Sequence, residues 1–183
     1  MSRRPVASKL HAARRLAGDR AGVAAIEFAL VMPILVSLFL GTFELTNLLL
    51  ANSKLTEAAQ TAADLVAQQK SVVKADITNF GNAARQIMAP FPTTPLGLAY
   101  ASVTFDAAGK PGLAWHDEDN APAIVNPTSL VTGLGGAGDS VVIVQVRYAY
   151  TSPISFVLQS SYSLADTAFR RPRLVPAVAC NAC

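Results

Sequence analysis

Sixteen consecutive residues without a charge, Phe28–Phe43 (FALVMPILVSLFLGTF), constrain this chain more than any other feature of it. With Val23–Glu27 before it and Glu44–Ala51 after it, the apolar-rich stretch covers 29 residues. As a helix it would span roughly 43 Å, enough to cross a hydrocarbon core of about 30 Å. The charge around it is lopsided. Residues 1–22 carry Arg3, Arg4, Lys9, Arg14, Arg15 and Arg20 against the single acid Asp19, and the remainder carries nine basic and eleven acidic side chains. The formal net charge of +3 therefore belongs to the head of the chain and not to residues 23–183. Positively charged flanks stay on the cytoplasmic side. The expected organisation is a basic cytoplasmic leader at 1–22, a transmembrane helix at 23–51 and an exported, periplasmic domain at 52–183.

Two residues sit where a simple anchor does not need them. Gly22 stands at the boundary of the leader, and Glu27 lies five positions further on, at the threshold of the apolar run. A carboxylate at that depth is costly unless it finds a partner, so it reads first as a functional residue. Three readings compete. A cleaved secretory signal wants small residues at −3 and −1 of its cut site, and Leu48-Leu49-Leu50-Ala51 fits poorly, with Glu44 interrupting the approach. An unprocessed single-pass envelope protein with a periplasmic binding domain explains the run and the charge bias but leaves Gly22 and Glu27 as coincidences. A precursor of the prepilin type, trimmed after Gly22, explains all four features. Pro33 removes one helical donor inside the run and tends to bend or loosen a helix, which membrane helices tolerate.

The helix is expected to continue beyond the membrane. Leu48, Ala51, Leu55, Ala58, Ala62 and Leu65 recur at spacings of three and four, with Glu57, Gln60, Thr61, Asp64 and Gln68 on the other side. The pattern predicts one helix to about Gln69, amphipathic in its second half. The stripe is read as the surface that packs on the domain in preference to a seam for a partner helix. Val72–Met88 predicts a second helix interrupted near Gly81 and ended by Pro90-Phe91-Pro92. Leu98–Phe105, Gly112–Trp115, Ser140–Tyr150 and Tyr162–Phe169 predict strands, and His116–Gly138 reads as loop. In Ser140–Tyr150 the face Val142, Val144, Val146, Tyr148 and Tyr150 is apolar. The fold class is α+β: a long N-terminal transmembrane helix continuing as an amphipathic helix, then a small antiparallel-sheet domain.

The run Arg20-Ala21-Gly22-Val23-Ala24-Ala25-Ile26-Glu27-Phe28-Ala29-Leu30-Val31-Met32-Pro33 resembles the start of the TadE/TadG-like family, minor pseudopilins of the tight-adherence (Flp-type) pilus apparatus. Phe169-Arg170-Arg171-Pro172-Arg173 is similar to the C-terminal ends of that family. The strong part of the resemblance covers about residues 14–60. It implies cleavage after Gly22 by a membrane aspartic peptidase, the prepilin peptidase, leaving Val23 as the new N-terminus. It also implies that Glu27, with Phe28 and Pro33, serves assembly, Glu27 by pairing with the N-terminal amine of a neighbouring subunit. The implied function is a non-enzymatic part in priming or capping a tight-adherence type IV pilus. The implied partners are the cytoplasmic (inner) membrane, other pilins or pseudopilins and the pilus platform proteins.

Other chemistry has little foothold in the sequence. His116 is the only histidine outside the leader and has no nucleophile motif near it. Gly133-Leu134-Gly135-Gly136 lacks the lysine of a phosphate-binding loop. Asp117, Glu118, Asp119 and Asn120 lack the spacing of an EF-hand and read as a solvated acidic turn. The exported part is net acidic without a basic, aromatic-studded stripe, so nucleic acid is not expected as a partner. No enzyme activity, cofactor or metal is expected. Cys180 and Cys183 form C-N-A-C in a compartment that permits disulfides. A local disulfide is favoured over an intersubunit bridge or free thiols.

Overall fold

The structure is a computed structural model that describes residues 20–158, 160–181 and 183; residues 1–19, most of the expected leader, lie outside the described residues. The chain divides into two units, Met1–Phe43 and Glu44–Cys183. Helix α1 (Arg20–Ala67) runs through both.

In the first unit α1 carries its apolar side chains outward. Phe28 is 62% exposed, Leu30 72% and Phe39 70%. The helix from Gly22 is long and apolar enough to cross a membrane. Its hydroxyls bond to its own backbone: Ser37 Oγ donates to the Pro33 carbonyl (2.7 Å) and Thr42 Oγ1 to the Leu38 carbonyl (2.8 Å). This keeps polar hydrogens off the helix surface, as a helix in hydrocarbon requires.

The second unit opens on the other half of α1, whose buried side is built mainly from alanine. Ala51, Leu55, Ala58, Ala59, Ala62, Ala63, Val66 and Ala67 are all buried. Small side chains let a helix axis approach its neighbour closely. The expected stripe is therefore the surface that packs on the domain. Its last member is displaced: Leu65 is only half-buried and Val66 takes the core position. The helix is followed by strand β1 (Ser71–Val72), helix α2 (Lys74–Ile87), strands β2 (Leu96–Phe105) and β3 (Pro111–Asp119), and a helical turn α3 (Pro127–Leu130). Strands β4 (Ser140–Thr151), β5 (Ser161–Arg170) and β6 (Ala179–Cys180) complete it. The main sheet has the order β3-β2-β4-β5, antiparallel throughout. The pair β1-β6 is parallel.

Strands β2 and β4 lie at the centre, in a register that sets Leu98 opposite Val146 and Tyr100 opposite Val144. Leu96, Leu98, Tyr100, Val142, Val144, Val146, Tyr148 and Tyr150 share one hydrophobic core with the α1 alanines. Ala99, Ala101, Val103, Phe105, Val141 and Ile143 form a second core on the opposite face, with Ile124 and Val131. Burial on both faces explains why Val141–Val144 reads as a continuous apolar run, with alternation only from Val146 onward.

Three expectations need correction. Helix α2 is not interrupted at Gly81. The glycine marks close approach to β3, where an added Cβ would lie 2.5 Å from Asp119 Oδ2. The acidic segment Asp117–Asp119 is not a solvated turn but the end of β3, paired with Tyr100, Ala99 and Leu98. Its charges are tolerated in the sheet because Lys74 pairs with Asp117, and Arg85 with Asp119 (2.8 Å). Finally, β1 and β6 are absent from the expected elements, because two residues are too few to show a period.

Gly97 on β2 is a further position where only glycine fits. An added Cβ would lie 2.2 Å from the Asn120 carbonyl oxygen. Asn120 cannot retreat easily, since its side-chain amide donates to the Thr94 and Leu96 carbonyls, both at 3.1 Å. Gly97→Ala is expected to destabilise the domain by about 1–3 kcal/mol, read as an earlier unfolding midpoint of the detergent-solubilised protein in denaturant.

Candidate assembly and anchoring sites

The residues singled out at the membrane threshold lie together on α1. Gly22, Val23, Glu27, Phe28 and Pro33 are all exposed, and a Cβ at Gly22 would meet nothing within 4 Å. Val23 and Glu27 are four residues apart, so both side chains fall on one face of the helix. Cys180 and Cys183 lie elsewhere, in the second unit.

The residue that sequence reasoning passed over is Glu44, used there only as an interruption of an apolar run. Its side chain is fully buried. Oε1 accepts the backbone N–H of Phe156 (2.6 Å), and Oε2 accepts those of Val157 (2.9 Å) and Leu158 (2.8 Å). Charge-assisted bonds of this kind are stronger than neutral ones. A buried carboxylate is tolerable only when so satisfied. Burial, and after it the Glu44 charge, push the phenol of neighbouring Tyr150 above its ordinary range. The visible signal was a lone acid following sixteen uncharged residues. Its partners, being backbone groups, leave no mark in a sequence.

The far end of the domain half of α1 is held by the Arg170–Arg173 segment. The last turn of α1 contains no basic residue. The Arg173 backbone N–H donates to the Ala67 carbonyl (2.9 Å), one of the terminal carbonyls a helix leaves open. The Arg173 side chain pairs with Asp64, and Arg170 Nε lies 3.9 Å from the same carboxylate. Arg171 reaches the other way, to Asp139 (3.4 Å) and the Leu134 carbonyl. The cations that favour a helix C-terminus thus arrive from the end of the chain.

The tail beyond is fastened as well. Cys180 and Cys183 are disulfide-bonded, with Cα atoms 5.8 Å apart. Cys180 pairs with Val72 across β1-β6, and Trp115 Nε1 donates to the Val178 carbonyl (2.7 Å). On β3, Asp117, Glu118 and Asp119 are engaged by Lys74, His116 and Arg85 respectively. The hydrogen bond from Arg85 to Asp119 raises the Arg85 pKa further. Burial and the Asp119 charge raise that of Tyr100 well above the usual phenol. No group of three or more metal-ligating side chains occurs among the described residues.

Comparison with known proteins agrees with this anatomy. Residues 22–64 match the family model TadE, described as TadE-like protein. The chain thus carries a TadE-like segment, one that begins at Gly22 and covers both the outward-facing apolar half of α1 and most of its buried half. Among the described residues, one helix is long and apolar enough to span a membrane. No curated protein and no solved structure matches the chain.

Substitutions at the two ends of the domain half of α1 have separable outcomes. Glu44→Ala removes the acceptors of three N–H groups, so amide exchange at Phe156, Val157 and Leu158 should accelerate strongly while β2 and β4 stay protected, measured by hydrogen–deuterium exchange. Arg173→Ala removes the ion pair at the end of α1 but keeps the backbone bond. It should lower stability by about 0.3–1 kcal/mol, with the loss shrinking as salt rises.

Proposed function

We propose that this protein is a minor pseudopilin of a tight-adherence type IV pilus, a structural component that helps prime or cap the fibre. Residues 1–22 remain in the cytoplasm, the apolar segment crosses the inner membrane within 23–51, and the domain faces the periplasm. Prepilin peptidase removes the leader after Gly22 and leaves Val23 with a free amine. The observation that supports this most is the TadE-like match, which opens at Gly22 and runs along the helix.

The chemistry of assembly follows from two charges in a poor solvent. A new ammonium at Val23 and the Glu27 carboxylate are each expensive in lipid alone. A pair formed between neighbouring subunits offsets part of that cost and fixes the register of two helices. Phe28 and the other outward apolar side chains supply the packing surface, and Pro33 sets the local path of the helix. Other pilins or pseudopilins and the platform proteins are the partners. The domain has no catalytic part in this.

The test is the N-terminal sequence of the protein extracted from membranes of its own host, with and without active prepilin peptidase. Val23 is expected first when the peptidase is active, and the intact leader when it is not. An intact leader in both would leave a plain single-pass envelope protein. Glu27→Ala should still insert and be cut, but fail to support pili; normal pili would remove the role given to Glu27.

A further inference from the structure

The segment joining β4 to β5 is built inside out for a loop in water. Its apolar side chains point outward: Ile154 is 43% exposed, Phe156 57% and Val157 59%. No charged residue occurs between Arg147 and Asp166. Several of its backbone N–H groups, by contrast, are satisfied within the protein. The N–H groups of Phe156, Val157 and Leu158 end on the buried Glu44 carboxylate. The Ser155 N–H donates to Ser152 Oγ (3.3 Å), Ser155 Oγ to the Ser152 carbonyl (3.2 Å), and the Ser152 N–H to the Ser160 carbonyl (3.2 Å). A segment facing water has no need to satisfy its amides internally. One facing hydrocarbon does, because nothing there can replace the lost bonds.

The position of the loop is fixed by covalent continuity. Its tether, Glu44, is the residue immediately after the uncharged run that ends at Phe43. With the exit from the bilayer at Phe43, the loop bonded to Glu44 is tethered one residue beyond it along the chain. We infer that Ile154, Phe156 and Val157 insert into the interfacial layer of the same membrane that α1 crosses, as a second, shallow anchor. Glu44 serves this anchor twice, holding it at the level of the interface and quenching the amides it would otherwise carry into lipid. Apolar side chains seated this way bury about 5–10 Å into the headgroup boundary. The inference rests on the reading that Phe28–Phe43 spans the membrane.

The experiment uses the full chain in vesicles of phosphatidylethanolamine and phosphatidylglycerol. Nitroxide labels are placed on Phe156→Cys, on Ile34→Cys within the apolar run, and on Leu130→Cys, an exposed apolar position on α3. Collision with oxygen, which concentrates in lipid, is compared with collision with a water-soluble nickel chelate. The label at 156 is expected to favour oxygen as the label at 34 does, and the label at 130 to favour nickel. Introducing Glu44→Ala should shift the label at 156 toward nickel. If 34 is in lipid while 156 meets nickel freely, the loop anchor is wrong and the spanning helix stands. If both meet nickel, the spanning reading itself fails. If 156 is shielded from both reagents, with spectral broadening that fades as the protein is diluted in lipid, a second copy covers the loop and the lipid proposal is overturned.

Discussion

A buried carboxylate on α1 ties this helix to the loop between β4 and β5. Glu44 is the first residue of the folded unit, and three consecutive backbone N–H groups from the β4–β5 loop close on it. A charge buried on a helix flank is a liability unless its hydrogen-bonding capacity is met. Here the need is mutual. The loop has three adjacent amides and no other secondary structure to receive them, and the carboxylate has two oxygens turned away from solvent. Neither arrangement is tolerable without the other, which makes the junction between α1 and the sheet a specific one.

The other end of the same helical half is fixed by different chemistry with the same logic. Asp64 and the Ala67 carbonyl are taken by Arg173, with Arg170 close by, more than a hundred residues further along the chain. Between the two clamps the alanine side of α1 lies on the apolar face of β2 and β4. Packing of small side chains gives closeness but little register, since alanines at successive turns resemble one another. Polar contacts at Glu44 and Asp64, with Thr56 donating to Asp166 on β5 between them, supply the register.

Much of this was legible. The uncharged run lies within one helix, and the three-and-four spacing from Leu48 to Ala62 and the β4 face Val142, Val144, Val146, Tyr148 and Tyr150 both lie against the core. What stayed hidden has a common physical origin. Asp117 and Asp119 looked like a solvated turn because their neutralising partners, Lys74 and Arg85, lie on another element. Glu44 looked like an interruption because its partners are backbone groups. Gly81 looked like a break because close approach to β3 is a tertiary fact. The Arg170–Arg173 segment was noticed only as a likeness, and its work at the end of α1 needed coordinates to be seen.

The division at Phe43 and Glu44 bears on how such a chain can be assembled. The sheet, the alanine seam, both clamps and the fastened tail draw on residues from Glu44 onward. In the first unit Val23, Ile26, Phe28, Leu30 and Phe39 present exposed apolar side chains. The constraint falls on the boundary residue. Any partner that takes up the outward half of α1 must leave Glu44 and its loop intact, or accept a buried charge and three open amides as the cost of the exchange.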